Sequence, residues 1–150
     1  MLRSDWDDLI ETGSDQKILE LVWDIPDDDI IAITSYANNE ICNGGFFQYY
    51  SNAIFDAKLH IQHLHDLGLN EIATIVQRSL DCFPQSMQPL RSKSDTDPIE
   101  SKVLELIGSK DRFGELESEY FRLCEAHESA FAQYFRNNSV SYWNLVGEEL

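Results

Sequence analysis

The chain lacks the signatures by which most enzyme classes are recognised. It has no G-x-x-x-x-G-K-[ST] loop, no G-x-G-x-x-G after a strand, no H-E-x-x-H helix and no G-x-S-x-G turn. Cysteine is scarce: Cys42, Cys82 and Cys124 are odd in number, widely spaced and without a C-x-x-C pair. They read as free, buried thiols in a reducing compartment, which argues against a disulfide framework. A nucleophilic cysteine would need a neighbouring base that spacing alone does not supply. No apolar run approaches the roughly 18 residues of a membrane span. The opening residues Met1 to Asp8 are acidic and lack the basic start and apolar stretch of a signal peptide, so a cytoplasmic location is expected. Basic residues are few, 11 against 27 acids, for a formal net charge of −16. Such a field repels nucleic acid and anionic membranes and favours basic partners, although acidity for solubility alone is the plainer explanation.

What is present is a globular chain of 150 residues, 43% hydrophobic, long enough for one domain with a core of its own. The charge is uneven. Residues 1–30 carry ten acids against two bases, residues 111–150 eight against three, and the middle accounts for the remaining −3.

Apolar periodicity predicts helices throughout. Ser4 caps a first helix carrying Trp6, Leu9 and Ile10 and ending at Gly13. Ser14 caps a second with Ile18, Leu19, Val22 and Trp23 inward. Pro26 opens a third, with Asp27, Asp28 and Asp29 at the positive end of its dipole and Ile30, Ile33, Ala37 and Ile41 on its buried side. A helix from about Ala53 to Leu67 stops at Gly68, and Asn70 caps the next, which Pro84 closes. The stretch at about 84–97 is linker-like. Asp97-Pro98-Ile99-Glu100 opens a helix that ends at Gly108. A long helix from about Arg112 to Arg136 places Phe113, Leu116, Tyr120, Leu123, Phe131 and Tyr134 on one face, and an apolar tail, Tyr142-Trp143 with Leu145-Val146, folds back. The expected architecture is all-α: a single-domain bundle of seven or eight helices over residues 1–150.

The densest signal is Asn43-Gly44-Gly45-Phe46-Phe47-Gln48-Tyr49-Tyr50-Ser51-Asn52. Two glycines end a helix, and four aromatic residues follow within five positions. Rings of about 150–250 Å² each do not stay solvated, so this is expected to be a tight corner plugged into the core. Its tyrosine hydroxyls and Gln48 then need partners. Glu40, Asn43-Gly44-Gly45-Phe46, Gln48-Tyr49-Tyr50 and Asn52 together resemble the hallmark of the DNA mimic protein 19 family. The looser likeness continues to Leu67-Gly68 and Asn70-Glu71-Ile72-Ala73. The resemblance implies an all-helical domain. From the family's namesake it also implies an acidic surface that imitates duplex DNA and occupies a DNA-binding protein, and it suggests a homodimer. It assigns the motif no catalytic role and implies no cofactor.

Two other groupings stand out. His60, His63 and His65 cluster, the first two one turn apart, but no Cys or second Glu-His pair completes a metal set, and a partly exposed histidine face is the plainer expectation. His127 falls within the apolar stripe of the last long helix. With Glu40, Asn43, Gln48 and Tyr49 it offers either a satisfied core network or a polar pocket for a small molecule or acid–base chemistry. The leading expectation is a non-enzymatic acidic protein whose Asp5, Asp7, Asp8, Asp27, Asp28, Asp29, Glu117, Glu125 and Glu128 contact a basic protein, such as a DNA-binding regulator. An immunity-type protein that neutralises a basic toxin shares the same surface and differs only in its partner.

Overall fold

The computed structural model describes residues 1–52, 57–83 and 110–150. Among them are eight α-helices and no strand, so the all-α expectation holds. The linker-like stretch at about 84–97, the closure at Pro84, the helix opening at Asp97-Pro98 and the start at Ala53 fall outside the described residues. The chain divides into two compact units, Met1–Ile33 with Glu125–Leu150, and Thr34–Cys124.

The first unit holds α1 (Arg3–Thr12), α2 (Asp15–Glu20), α7 (Ala126–Asn137) and α8 (Ser139–Val146). Leu2, not Ser4, is the N-cap of α1, and it offers no side-chain cap. Ser14 caps α2 as expected, accepting from the Lys17 N–H at 3.3 Å. α2 tightens into a 3₁₀ turn, Leu21–Asp24, which rotates its apolar face. Leu21 is thereby buried, whereas Trp23, expected inside, is 90% exposed. Trp6 anchors the core between Phe135 and Trp143, with ring centroids 5.6 and 5.5 Å away. The C-terminal tail does fold back: Tyr142 stacks flat on Phe135 at 4.3 Å and donates to Asp29 Oδ1 at 2.9 Å. Arg136 clamps Asp15 through Nη1 and the Gly13 carbonyl through Nη2.

α3 (Ile30–Asn52) begins later than Pro26 suggests. Pro26 to Asp29 form a turn, and Asp29 is the cap, accepting from the Ile31 N–H at 2.9 Å. Asp27 and Asp28 lie outside the helix in solvent. The buried stripe is accordingly shifted, to Ile31, Thr34, Ala37 and Ile41, while Ile30 and Ile33 are half-buried.

In the second unit α4 (Ala57–Asp66) packs on α5 (Asn70–Leu80), which packs on α6 (Gly114–Leu123). Gly68 adopts φ 76° and closes α4 in a Schellman motif: Leu69 N–H reaches Leu64 O at 2.8 Å, and Gly68 N–H reaches His65 O at 2.9 Å. Leu64 and Leu69 supply the buried apolar pair that accompanies the motif. Leu69 is also the N-cap of α5, so Asn70 does not cap it; its Oδ1 instead meets His65 Nδ1 at 2.8 Å. Ile72, Ile75, Val76 and Leu80 are buried as expected. The long helix expected from Arg112 to Arg136 is two helices, α6 and α7, separated at Cys124 and Glu125. Both separating residues keep φ and ψ near helical values, so the apolar period runs through the break and conceals it.

Candidate functional site

The diglycine bend divides α3. Gly44 has φ −151° and ψ 17°; Gly45 has φ 69° and ψ −168°, a region open essentially to glycine alone. The helix resumes at once, so Phe46 presents a helix-start N–H with no carbonyl behind it. Glu117, on α6, fills that vacancy: its Oε1 accepts from Phe46 N–H at 3.1 Å. A carboxylate at this point also faces the positive end of the resumed helix. A Cβ on Gly45 would collide with the same carboxylate, so Gly45 is required twice over, for its backbone and for this close approach.

Gly44 is covered by the Gln48 side chain, whose oxygen a Cβ there would strike. Gln48 is held from its other end, donating Nε2–H to Glu40 Oε2 at 3.2 Å. Glu40, Gly44 and Gln48 thus form one brace across the bend. Phe46 is fully buried among Tyr49, Phe113 and Tyr120, all with ring centroids within 6.2 Å. Tyr49 is fully buried and its hydroxyl meets His60 Nδ1 at 2.9 Å. Tyr50 rests on Phe83 at 4.9 Å and shares a 2.8 Å hydrogen bond with Ser79. Burial raises the Tyr50 phenol far above the ordinary tyrosine range, with the Ser79 bond pulling it partly back. Burial does the same to Tyr120, with Cys42 and Cys124 adding to it.

The expected pocket residues therefore fall into three groups. Glu40, Gly44 and Gln48 brace the bend, and Gly45 and Phe46 meet Glu117. Tyr49 joins His60, which is fully buried and not part of an exposed histidine face. Asn43 is exposed, Asn52 ends α3, and His127 belongs to the first unit, buried with its ring against Phe131 at 5.7 Å. Of the histidine cluster, His60 is thus engaged by Tyr49 and His65 by Asn70. Among the described residues no three His, Cys, Asp or Glu side chains converge on one point.

The acidic residues separate in a similar way. Asp5, Asp7, Asp8, Asp27, Asp28, Glu125 and Glu128 are exposed, Asp7 in an ion pair with Arg3 at 3.0 Å. Asp29 and Glu117 are half-buried and occupied, the one capping α3 and the other the bend. Glu117, expected on a partner-facing surface, is instead held by the bend, because the residue it contacts lies 71 positions away with no local signal to mark it. The three thiols are likewise less buried than expected: Cys42 is exposed, and Cys82 and Cys124 are half-buried. No helix among the described residues is long and apolar enough to cross a membrane.

Comparison with the curated proteins gave no match. Comparison with the solved structures gave none either. The family model described as DMP19-like protein matches residues 25–146, which takes in the bend, its Glu117 cap and the motif around them, and the chain belongs to that family.

Proposed function

We propose that this protein is a non-enzymatic interaction protein that occupies the basic, DNA-binding surface of a partner, offering carboxylates where phosphates would lie. The observation that carries the reading is the distribution of charge over the two units. The first unit draws on both acidic ends of the sequence and holds 14 acids against three bases, a formal −11 of the total −16. Two of those bases, Arg3 and Arg136, are already committed to Asp7 and Asp15. Family membership supports the same reading, since the family's namesake implies a DNA mimic.

Exposed carboxylates three residues apart, such as Asp5 with Asp8 and Glu125 with Glu128, lie about 4.5 Å apart along a helical backbone. That is the few-ångström scale on which duplex DNA spaces its charge, about 3.4 Å per strand. Arginines built for phosphate donate to carboxylates in the same bidentate manner. Asp29 and Glu117 have structural duties and leave the contact set. Trp23 joins it: its exposed indole stands in sequence among Glu20, Asp24, Asp27 and Asp28, all exposed, and offers a face for an arginine to stack on.

The test is capture of a partner from lysate at low salt, followed by affinity measurement across ionic strength and competition with duplex DNA. Affinity should fall steeply with salt, and DNA should displace the protein. Affinity that stays flat with salt, or a ternary complex with DNA, rejects the reading.

A further inference from the structure

Asp27, Asp28 and Asp29 read alike in sequence, but the structure separates them. Pro26, Asp27 and Asp28 are exposed and stand between Ile25, which is buried, and Asp29, which is half-buried. Both ends of this short acidic turn are fastened. At its front, Ile25 N–H donates to Val22 O at 3.3 Å, and Pro26 follows with φ restricted by its ring. At its back, Asp29 N–H closes on Pro26 O at 3.0 Å, and Asp29 O accepts from Ile33 N–H at 2.9 Å as α3 begins.

Asp29 Oδ1 receives two donors, Ile31 N–H and the Tyr142 hydroxyl, each at 2.9 Å. The first is a helix cap. The second comes from α8, 113 positions along the chain. Tyr142 is itself held firmly: its side chain is buried, its ring lies flat on Phe135, and the next residue, Trp143, packs edge-on against Trp6. Burial, with the Asp29 carboxylate beside it, keeps the phenol protonated well above the ordinary tyrosine range, so the donor is present at neutral pH.

We propose that Tyr142 is a positioning residue for partner binding, a role that rests on the carboxylates of this unit being its contact surface. Its hydroxyl, acting through Asp29, fixes the Pro26–Asp29 turn so that Asp27 and Asp28 meet a partner's arginines already in place. A loose turn would have to be ordered as the arginines close on it, and that ordering weakens association; a turn fastened beforehand avoids it. Tyr142 and Asp29 thus serve the contact without making it.

The experiment follows the full chain by NMR, measuring amide exchange at Asp29 and Ile31 and titrating tetra-arginine while tracking the Asp27 and Asp28 amides. Tyr142→Phe keeps the ring on Phe135 and removes only the donor. It should speed exchange at both amides and weaken the peptide by about two- to tenfold. Asp29→Asn keeps an acceptor oxygen and should retain slow exchange and nearly the wild-type affinity, whereas Asp29→Ala should behave as Tyr142→Phe does. With Asp27 and Asp28 both changed to Asn, Tyr142→Phe should have no further effect on binding. Unchanged exchange in Tyr142→Phe, or faster exchange with unchanged affinity, would overturn the positioning role and leave the acidic contact surface standing. A wild type whose Asp27 and Asp28 amides ignore tetra-arginine would overturn the contact surface at this turn, and the positioning role with it. If Tyr142→Phe folds poorly, the contrast between Asp29→Asn and Asp29→Ala decides: equal losses of affinity would show that Asp29 acts by its charge and would reject the proposal.

Discussion

Replacing Gly45 by alanine strikes the bend where two separate demands meet. The backbone at φ 69° and ψ −168° is strained for any residue with a Cβ, at about 1–3 kcal/mol. The new methyl also displaces the Glu117 carboxylate from Phe46 N–H, a charged hydrogen bond worth about 1.5–3 kcal/mol. Gly45→Ala is thus expected to cost about 2.5–6 kcal/mol, a large share of a domain's typical stability. Glu117→Ala alone loses the hydrogen bond, about 1.5–3 kcal/mol. In the double variant the methyl has room and the hydrogen bond can be lost only once. It should therefore be about as stable as Gly45→Ala, short of additivity by about 1.5–3 kcal/mol. Urea unfolding of the four proteins, followed by far-ultraviolet circular dichroism, measures this coupling. Additive costs would refute the close approach of Gly45 and Glu117, and a Gly45→Ala cost below about 1 kcal/mol would refute the strain.

Alkaline pH supplies a second test. Tyr50, Tyr120 and Tyr142 are buried and titrate in the folded protein well above the unfolded value of about 10, each chiefly through burial. Their protonated state favours the fold at all lower pH, and that contribution is lost as pH rises past about 10, at about 1.4 kcal/mol per pH unit for each tyrosine. Urea midpoints should fall steeply from there, phenolate absorbance should appear together with unfolding, and Tyr50→Phe should flatten the slope; phenolate without unfolding would contradict it. Trp23→Ala should leave stability within about 0.5 kcal/mol, because the side chain is solvated, yet weaken capture of a basic partner. Unchanged capture would remove Trp23 from the contact set. Neutralising Asp27 and Asp28 together should reduce the salt dependence of binding without shifting the thermal midpoint, as neither lies within α3. A lowered midpoint would show that they have a structural role after all.

Much of this architecture is legible in the residues. Helical periodicity, the cap at Ser14, the stop at Gly68 and the aromatic plug after Gly44-Gly45 all follow from local chemistry, because each is decided within a few positions. What eludes reading is decided at a distance or by small rotations. Pro26 is a plausible helix start, but Asp29 three residues on makes the cap and moves the stripe from Ile30 and Ile33 to Ile31 and Thr34. The 3₁₀ turn after α2 swings Trp23 outward without altering its spacing. The break at Cys124 and Glu125 preserves the apolar period and so leaves no trace in it. Within the site, Glu40 with Gln48 is a short-range pairing, eight positions apart, that sequence can suggest. The Glu117 cap and the Tyr49–His60 bond belong to tertiary structure, and nothing near either residue announces them.

The division of the chain also orders its birth. The unit that carries the bend is one uninterrupted segment, whereas the acid-rich unit is assembled from the two flanks of the sequence and is clasped by Arg136 on Gly13 and Asp15. On the ribosome the inner segment can begin to condense while the outer one still waits for its second half. A nascent chain halted before Arg136 emerges can hold the bend but not the clasp, so any trait that depends on the flanking unit switches on only after Arg136 has left the ribosome.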